Sequence, residues 1–335
     1  MTSLRLGFFT RVLDRAAPPE RYRLGIEQIV HADRLGFDSA WVAQHHFHED
    51  EGGLPAPLVF LSHAAARTQR IRLATGIITL PLEMPLRVAE DASVLDMLSD
   101  GRLEIGVGPG GNLSAFQAFA LDPAARHRLM SGNLDILRRA WRGETLEGGD
   151  QLYPADPSLA DRIWQATFSA EGGRIAGAAG DGLLLSRTQP RPDDRPDMTI
   201  DEIQAPILDA YYGALPSGRA PRVLASRSVF VADNRADAMR WAAEGLQVAR
   251  ARRGLSGGTL SEWLAEANSH VGTPADVIES LAAEKTLERT TELAVQVHSI
   301  DPPHQMILRS LELMVEIVAP ALGWVGPNTQ RKQVA

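Results

Sequence analysis

The chain has 335 residues, 44% of them hydrophobic, and a formal net charge of -8 from 34 basic and 42 acidic residues. This size suits one large α/β barrel or two ordinary domains, and the negative balance argues against a general binder of nucleic acid or of anionic membranes. Cysteine is absent, which excludes disulfides, thiolate nucleophiles, iron–sulfur clusters and cysteine-ligated zinc.

The N-terminal residues lead directly into a predicted strand and lack the apolar region of a signal peptide. No uncharged apolar run approaches the length of a transmembrane helix. We therefore expect a soluble, cytoplasmic globular protein without a nucleic-acid or membrane partner.

Strands and helices alternate in the first half of the chain. Short apolar runs predict the strands, and apolar residues at helical spacing predict the helices. Pro19 and Gly36 mark the ends of the first helix. The predicted strands cover residues 4–9, 38–44, 71–80 and 102–107, and the predicted helices cover residues 19–35, 57–68, 85–98 and 126–141.

The alternation resumes in the second half after one interruption. Strands are predicted over residues 161–166, 183–186, 222–231 and 293–297, and helices over 170–179, 236–252, 259–269, 274–283 and 303–318. Residues 187–219 are rich in Pro, Asp and Arg, which predicts an insertion that carries one helix over 201–212 and acts as a lid or mobile loop. About eight strands alternating with helices, without a domain linker, predict a single (β/α)8 TIM-type barrel over residues 1–335 with an insertion after strand six.

Three histidines follow the second predicted strand, at positions 45, 46 and 48. Strand alternation places His45 and His46 on opposite sides, so one of them faces the barrel mouth. An imidazole there can move a proton or hydrogen-bond an intermediate near neutral pH. Three histidines in four positions at a strand end favour a functional role over solvated loop residues.

A competing interpretation is a metal site. His46 and His48 have the His-x-His spacing used by metal-dependent barrel hydrolases. Such a site needs more ligands from later strands, and the candidates are His298, Asp301, His63 and His127. These do not form a convincing set, so a metal site ranks second.

A glycine cluster over residues 106–111 follows the fourth predicted strand and fits Gly-x-Gly-x-x-Gly. A dinucleotide fingerprint is disfavoured, because this strand is the fourth of a series and Pro109 removes one amide from the loop. We interpret the cluster, with Gly108 near its centre, as a loop that lets a flat ligand approach the backbone. Gly76 also ends a strand, where a glycine can mark a close approach of a ligand to the backbone, but from the residues alone an ordinary strand exit is the favoured explanation.

The residues after the fifth predicted strand suit an anion. Ser169 can cap the following helix, whose N-terminus offers free amides to a phosphate. Arg174 could add charge, and Ser186 and Arg187 at the next strand end could reach the same phosphate. An ordinary helix cap is the alternative. No Gly-x-Ser-x-Gly elbow or P-loop is present, which argues against a Ser-His-Asp hydrolase and a P-loop enzyme.

Taken in order, these segments resemble the bacterial-luciferase-like flavin-dependent monooxygenases. The resemblance is strongest over residues 32–111, from Ala-Asp-Arg-Leu-Gly-Phe-Asp-Ser-Ala-Trp-Val-Ala-Gln-His-His-Phe through Ile-Arg-Leu-Ala-Thr-Gly-Ile-Ile-Thr-Leu-Pro. It resumes in Gly-Asp-Gly-Leu-Leu-Leu-Ser-Arg over residues 180–187 and is diffuse beyond. The resemblance implies a (β/α)8 barrel that uses FMN.

The resemblance also implies residue roles. His45, the first of the His-His pair, matches the catalytic histidine that assists the peroxide of reduced flavin. Gln44 stands where luciferase has a glutamate. Gly76 and Ile77 match a position where the family often has a non-proline cis peptide beneath the flavin ring.

Further positions match flavin contacts in the phosphate-binding turn and at the next strand end. These positions are Ser169, Ala170, Glu171, Gly172, Ser186 and Arg187. The family commonly has an arginine near the flavin phosphate where this chain has Pro109. We expect Arg187 or Arg174 to compensate for that charge.

The resulting expectation is an FMN-dependent monooxygenase that oxygenates a small organic substrate with O2. A separate reductase is expected to supply the reduced flavin, and the resemblance implies a dimer, a homodimer in the simplest case, formed through barrel helices. Three alternatives remain open: a deazaflavin-dependent hydride-transfer oxidoreductase, a metal-dependent hydrolase that uses His46 and His48, and a non-catalytic flavin-binding protein.

Overall fold

The computed structural model describes residues 4–252, 254–297 and 301–326. The strands are β1 (Arg5–Thr10), β2 (Ser39–Val42), β3 (Arg72–Thr75), β4 (Ile78–Thr79), β5 (Leu103–Gly108), β6 (Ile163–Ala166), β7 (Gly182–Leu185), β8 (Val223–Val231), β9 (Ser269–Gly272) and β10 (Glu292–Gln296). The helices are α1 (Pro18–Leu35), α2 (Pro57–Ala65), α3 (Pro85–Leu98), α4 (Leu113–Ala118), α5 (Arg126–Trp141), α6 (Ala170–Ala178), α7 (Ile200–Ala214), α8 (Arg235–Arg252), α9 (Leu260–Glu266), α10 (Pro274–Ala282), α11 (His304–Leu313) and α12 (Ala319–Ala321).

Eight parallel strands close into a barrel in the order β1, β2, β3, β5, β6, β7, β8 and β10. Closure comes from β10, which pairs with β1 on one side and with β8 on the other. The predicted (β/α)8 barrel is therefore confirmed. No helix in the described part of the chain combines the length and apolar character needed to cross a membrane.

Side chains alternate between two cores along each strand, as the two-residue period of a strand requires. On β1, Leu6 and Phe8 pack outward beneath the helices, whereas Phe9 points into the barrel. The barrel interior holds a small cluster with two indoles in edge-to-face contact, Trp41 and Trp164, whose ring centroids lie 5.3 Å apart. The larger core lies between the sheet and the helices.

Buried carboxylates close the N-terminal end of the barrel. Glu104 accepts hydrogen bonds from the indole of Trp164 at 2.7 Å and from Arg72 at 2.5 Å. Glu292 is wholly buried and accepts from the indole of Trp41 at 2.8 Å. These side chains already hydrogen-bond to one another. A ligand site is therefore expected at the opposite end of the barrel, where the carboxyl ends of the strands meet.

The structure differs from three element predictions. The strand predicted over 71–80 is interrupted after Thr75, and the peptide bond between Gly76 and Ile77 is cis, as the resemblance implies for this position. The helix predicted over 259–269 was partly wrong, because α9 ends earlier and β9 pairs with the outer end of β8. Helix α4 was not predicted, since it has only six residues, although Asn112 caps it by accepting from the Ser114 amide at 3.1 Å.

The predicted insertion contains a longer helix than expected. Helix α7 begins with a capping box of Thr199 and Glu202 and packs against α6, burying Ile207, Leu208 and Tyr211. It therefore serves as the barrel helix between β7 and β8. The irregular part that precedes it covers residues 187–199.

Candidate active site

The mouth of the barrel collects the polar residues that follow its strands. Because parallel strands end at the same rim, residues distant in sequence converge there. The residues at this rim that bear on chemistry are Arg11 after β1, Gln44, His45 and His46 after β2, Gly76 and Ile77 after β3, Gly108 on β5, Ser169 after β6, Ser186 and Arg187 after β7, Ser228 on β8 and Gln296 on β10.

His45 lies half-buried at this rim beneath the following loop. Its backbone amide donates to the Leu54 carbonyl at 3.0 Å, and a Cβ on Gly52 would lie only 2.4 Å from its Cδ2. Burial, together with the positive charge of Arg11, lowers the pKa of His45 to about 4. The imidazole is therefore neutral at pH 7. Among the described residues its ring nitrogens have no hydrogen-bond partner, so they are available to a ligand.

The other two histidines lie in separate environments. His46 packs edge-on against Phe119 with ring centroids 5.0 Å apart, and burial lowers its pKa. His48 is exposed, and its Nε2 lies 3.4 Å from Ser114 Oγ. Within the described residues, no three His, Asp or Glu side chains are grouped so as to hold a metal, and the candidate His298 lies outside them. The metal interpretation gains no support from this geometry.

Phe47 and Phe119 form an apolar edge beside His46. Their ring centroids lie 5.8 Å apart, and Phe47 is 67% exposed. Exposed aromatic rings at the rim of a pocket suit an apolar molecule that enters or lies across it. The sequence analysis did not single out this pair, since the two rings come from different loops.

Gln44 is occupied by contacts within the protein. Its amide nitrogen donates to the Pro55 carbonyl at 3.1 Å and to Glu83 at 2.6 Å, and its amide oxygen accepts from the Thr79 backbone at 2.7 Å. The side chain is buried and holds the loop after β2 against the segment after β3. Direct contact with a cofactor thus stays a prediction, and the geometry favours a positioning role.

Gly76, Ile77 and Gly108 form one part of the rim. The two glycines there leave too little room for a larger side chain. A Cβ on Gly76 would lie 2.7 Å from the ring of Phe9, and one on Gly108 would lie 2.4 Å from Ile77 Cδ1. Ile77 is itself only half-buried at the mouth. These residues present a low apolar surface at the rim, and the approach of a flat ligand to the glycine loop stays a prediction.

The N-terminus of α6 follows β6 at the same rim. Ser169 Oγ accepts from the Gly172 amide at 3.1 Å, so the predicted cap is formed. The amides of Ala170 and Glu171 in the first turn have no partner within the helix, which is the arrangement that binds phosphate. Arg174 is exposed and bound to Glu171 at 2.6 Å, so its charge is already compensated.

Arg187 extends away from that turn. Its Nε donates to Gln296 at 2.9 Å and its Nη1 to Ser228 at 3.1 Å, which directs it towards β8 and β10. Ser186 remains beside it, with its hydroxyl 3.0 Å from that of Thr188. Ser186 lies at the strand end next to β6 as predicted, but the guanidinium of Arg187 points across the barrel, so reach to a phosphate at α6 is not supported.

Sequence reasoning missed several of these polar residues. Arg11 is the first residue after β1, and Gln296 lies on β10. Ser226 and Ser228 lie two residues apart on β8 with Arg227 between them, so the two serines share one face of the strand. That signal was present, but only barrel closure shows that Ser228 and Gln296 bond to Arg187 and that Ser226 accepts from Gln296 at 2.7 Å.

The geometry agrees with a comparison to known families. The model of the luciferase-like monooxygenases matches residues 5–292. The chain belongs to this family. The membership identifies the protein as an oxidoreductase of the flavin-dependent, luciferase-like class, and it confirms the resemblance seen in the sequence.

Individual relatives include both oxygenases and a dehydrogenase. 4-Hydroxyprotoasukamycin monooxygenase of Streptomyces nodosus subsp. asukaensis is 28% identical and covers 90% of both chains. Limonene 1,2-monooxygenase of Rhodococcus erythropolis is 35% identical, but the match spans 49% of this chain and only 45% of that protein. The F420-dependent glucose-6-phosphate dehydrogenase of Amycolatopsis mediterranei is 28% identical over 48% of this chain and 52% of its own.

Solved structures repeat the fold. A monooxygenase from Streptomyces bottropensis superposes with a TM-score of 0.81 at 24% identity, covering 95% of this chain and 100% of its own. The oxygenating constituent of 3,6-diketocamphane monooxygenase from the CAM plasmid of Pseudomonas putida, in complex with FMN, gives 0.78 at 20% identity, covering 97% and 100%. At this identity the likeness establishes the barrel architecture alone.

Proposed function

We propose that the protein is an FMN-dependent monooxygenase that uses reduced flavin and O2 to oxygenate a small organic substrate. The observation that carries the proposal is the combination at one rim of a helix N-terminus with free amides, a low apolar surface and a neutral histidine. The match to a monooxygenase over 90% of both chains supports the same reaction class.

The residues present fit FMN. The amides of Ala170 and Glu171, with Ser169 and Gly172 shaping the turn, would hold the phosphate without an arginine. Gly76, Ile77 and Gly108 would lie beneath the ring, where larger side chains would clash with the protein. Ser186, at the end of β7, would lie beside the flavin ring. Gln44 would hold in place the loop that carries His45.

Bound reduced flavin would supply the electrons that activate O2, and a separate reductase would deliver it. The role of His45 follows from its protonation state. A neutral imidazole with free ring nitrogens can hold or pass one proton at the reacting centre, whereas a cation could not accept it. The loop at Gly52 lies against the Cδ2 edge of the ring and limits the positions that the imidazole can take.

Residues 187–219 are proposed to cover the mouth during turnover. Since α7 is packed in the barrel wall, the moving part would be the irregular segment 187–199. Shortening that segment is expected to uncouple oxygen consumption from product formation, and tight coupling in the shortened protein would refute the lid.

A homodimer is proposed through α3. Its outward face carries Val94, Met97 and Leu98, which are 46%, 50% and 65% exposed. Residues three and four apart share one helix face, so these side chains form a continuous apolar stripe. A stripe of this kind is typical of a subunit interface.

Hydride transfer with a deazaflavin is the second candidate, because the relatives include an F420-dependent dehydrogenase. That match covers about half of each chain, which is why oxygenation is preferred. Reoxidation of reduced FMN separates the two. Anaerobically reduced FMN bound to the protein is mixed with aerated buffer, and return of oxidised-flavin absorption is followed. We expect kinetics that differ from free flavin and change in His45→Ala; identical kinetics with and without protein would contradict oxygen chemistry.

A further inference from the structure

Positive charge is concentrated on one side of the barrel mouth. Arg11 follows β1, and Arg187 reaches from the end of β7 towards β8 and β10, the strand that pairs with β1. Around the closed ring, three strands separate β1 from β6 in either direction, so Arg11 lies diametrically across from the α6 turn. Arg11 therefore lies opposite the phosphate turn, and the guanidinium of Arg187, which begins beside that turn, is directed away from it.

The guanidinium of Arg187 lacks an acidic partner within the described residues. Its hydrogen bonds go only to the neutral groups of Gln296 and Ser228, and they leave Nη2 unused. Burial and the like charge of Arg11 lower the pKa of Arg187 to about 9, so it stays protonated at pH 7. Arg187 is half-buried, and a partly desolvated cation without a counter-ion is unfavourable, so an anionic ligand would stabilise it.

Arg11 adds positive charge on the same side, with the carboxylates of Asp301 and Glu51 near enough to act on it. Its Nη1 donates to the Glu51 carbonyl at 3.2 Å, but its Nε is buried without a hydrogen-bond partner in the described part of the chain. Two residues beyond Arg187, the side-chain amide of Gln189 is also buried with neither atom bonded within the described residues. Buried polar atoms in native proteins are normally satisfied, so the unbonded Nε leaves part of the hydrogen-bonding capacity of the Arg11 guanidinium unused.

We propose that Arg187, with Arg11 behind it, binds a carboxylate on the substrate, and that the enzyme oxygenates an apolar organic acid. The inference rests on the proposed function, since it names the substrate class of that site. A guanidinium fork matches a carboxylate in shape and charge. The exposed rings of Phe47 and Phe119 at the rim suit the apolar body of such a molecule.

Isothermal titration tests the proposal with three acids and their uncharged amides: acetate, benzoate and decanoate against acetamide, benzamide and decanamide. Both apoprotein and protein loaded with oxidised FMN are titrated. We expect at least one acid to bind at least tenfold more tightly than its amide, and Arg187→Gln to weaken that acid at least tenfold while FMN affinity changes less than threefold. Arg240→Gln on α8, whose arginine is exposed and paired with Asp237, is the matched control and leaves both unchanged.

Three results would overturn the proposal. Equal binding of every acid and its amide would show that no carboxylate is recognised. Loss of FMN affinity in Arg187→Gln, with inorganic phosphate competing for the same site, would assign the arginine to the flavin phosphate. Unchanged acid binding with a lowered flavin midpoint potential would assign it to the negative charge of reduced flavin.

Folding of the variant is checked by circular dichroism. If Arg187→Gln fails to fold, Arg187→Lys and the comparison of acid with amide on the unaltered protein decide the question. If the protein binds no FMN yet prefers an acid through Arg187, the proposed function fails while the anion site stands.

Discussion

Alanine substitutions at two glycines of β5 are expected to distinguish an effect on folding from an effect on ligand binding. Gly106 and Gly108 lie two residues apart and so face the same side of the sheet. A Cβ on Gly106 would lie 2.0 Å from the Thr75 carbonyl oxygen, which is backbone and cannot yield. A Cβ on Gly108 would meet only Ile77 Cδ1, at 2.4 Å, the mobile end of a half-buried side chain.

The two alanine variants are therefore expected to behave differently. Gly106→Ala overpacks the barrel and disturbs the hydrogen bonds at 2.8 and 2.9 Å that join Thr75 to Gly106, so it should lower the free energy of unfolding by about 3 kcal/mol. Gly108→Ala should cost less than about 1 kcal/mol, because Ile77 can rotate. The displaced Ile77 would intrude where the flavin ring is proposed to lie and weaken FMN binding by about 1–1.4 kcal/mol, which is about 5- to 10-fold.

Urea denaturation gives the two free energies of unfolding, and quenching of flavin fluorescence gives the two FMN affinities. Gly106→Ala, if it folds, is the control: it lowers the free energy of unfolding but does not change the surface on which the flavin ring is proposed to lie. FMN affinity unchanged in Gly108→Ala, or equal stability losses in the two variants, would refute the reasoning.

Other variants test the remaining parts of the account. His45→Ala should lower product formation about 100-fold or more with FMN affinity unchanged, and equal turnover would remove its proton-transfer role. The pKa of His45 is about 4 in the folded protein, below its ordinary 6.5, so the unfolded chain takes up the proton first as the pH falls. The free energy of unfolding, compared with that of His45→Gln, should therefore decline from pH 6.5 towards pH 4. A difference between the two proteins in urea denaturation that does not change with pH would contradict this. Leu98→Glu should convert the proposed dimer to monomer in light scattering, whereas Val248→Glu on α8 should not. Asp96→Asn should cost about 3–5 kcal/mol, since it breaks the buried bidentate pair with Arg162 at 2.6 and 2.7 Å, and a loss below about 1 kcal/mol in urea would be inconsistent with that pair.

The barrel could be predicted because its strands and helices leave strong local patterns. Apolar runs alternate with amphipathic helices, and the parallel strands then force their carboxyl ends together, which places His45, Gly108 and Ser169 at one rim. The exceptions were short or interrupted elements. The six residues of α4 and the four of β9 are too few to show a period, and β9 depends on pairing with the far end of β8.

Side-chain direction could not be predicted from the sequence. Arg187 was expected near the flavin phosphate, yet its partners on β8 and β10 turn it across the mouth. Gln44 was expected at the cofactor, yet Glu83 and Thr79 occupy its amide. Both outcomes depend on contacts between strands and loops far apart in the chain, which only the closed barrel brings together.

The central claim is that this rim binds FMN, and an absorption titration tests it most directly. Purified protein is titrated with FMN and, under the same conditions, with F420, and bound zinc is measured in parallel. We expect a perturbed oxidised-flavin spectrum that saturates at one FMN per chain, with F420 bound at least tenfold more weakly. Preferential F420 binding, or stoichiometric zinc with an unperturbed flavin spectrum, would contradict the account.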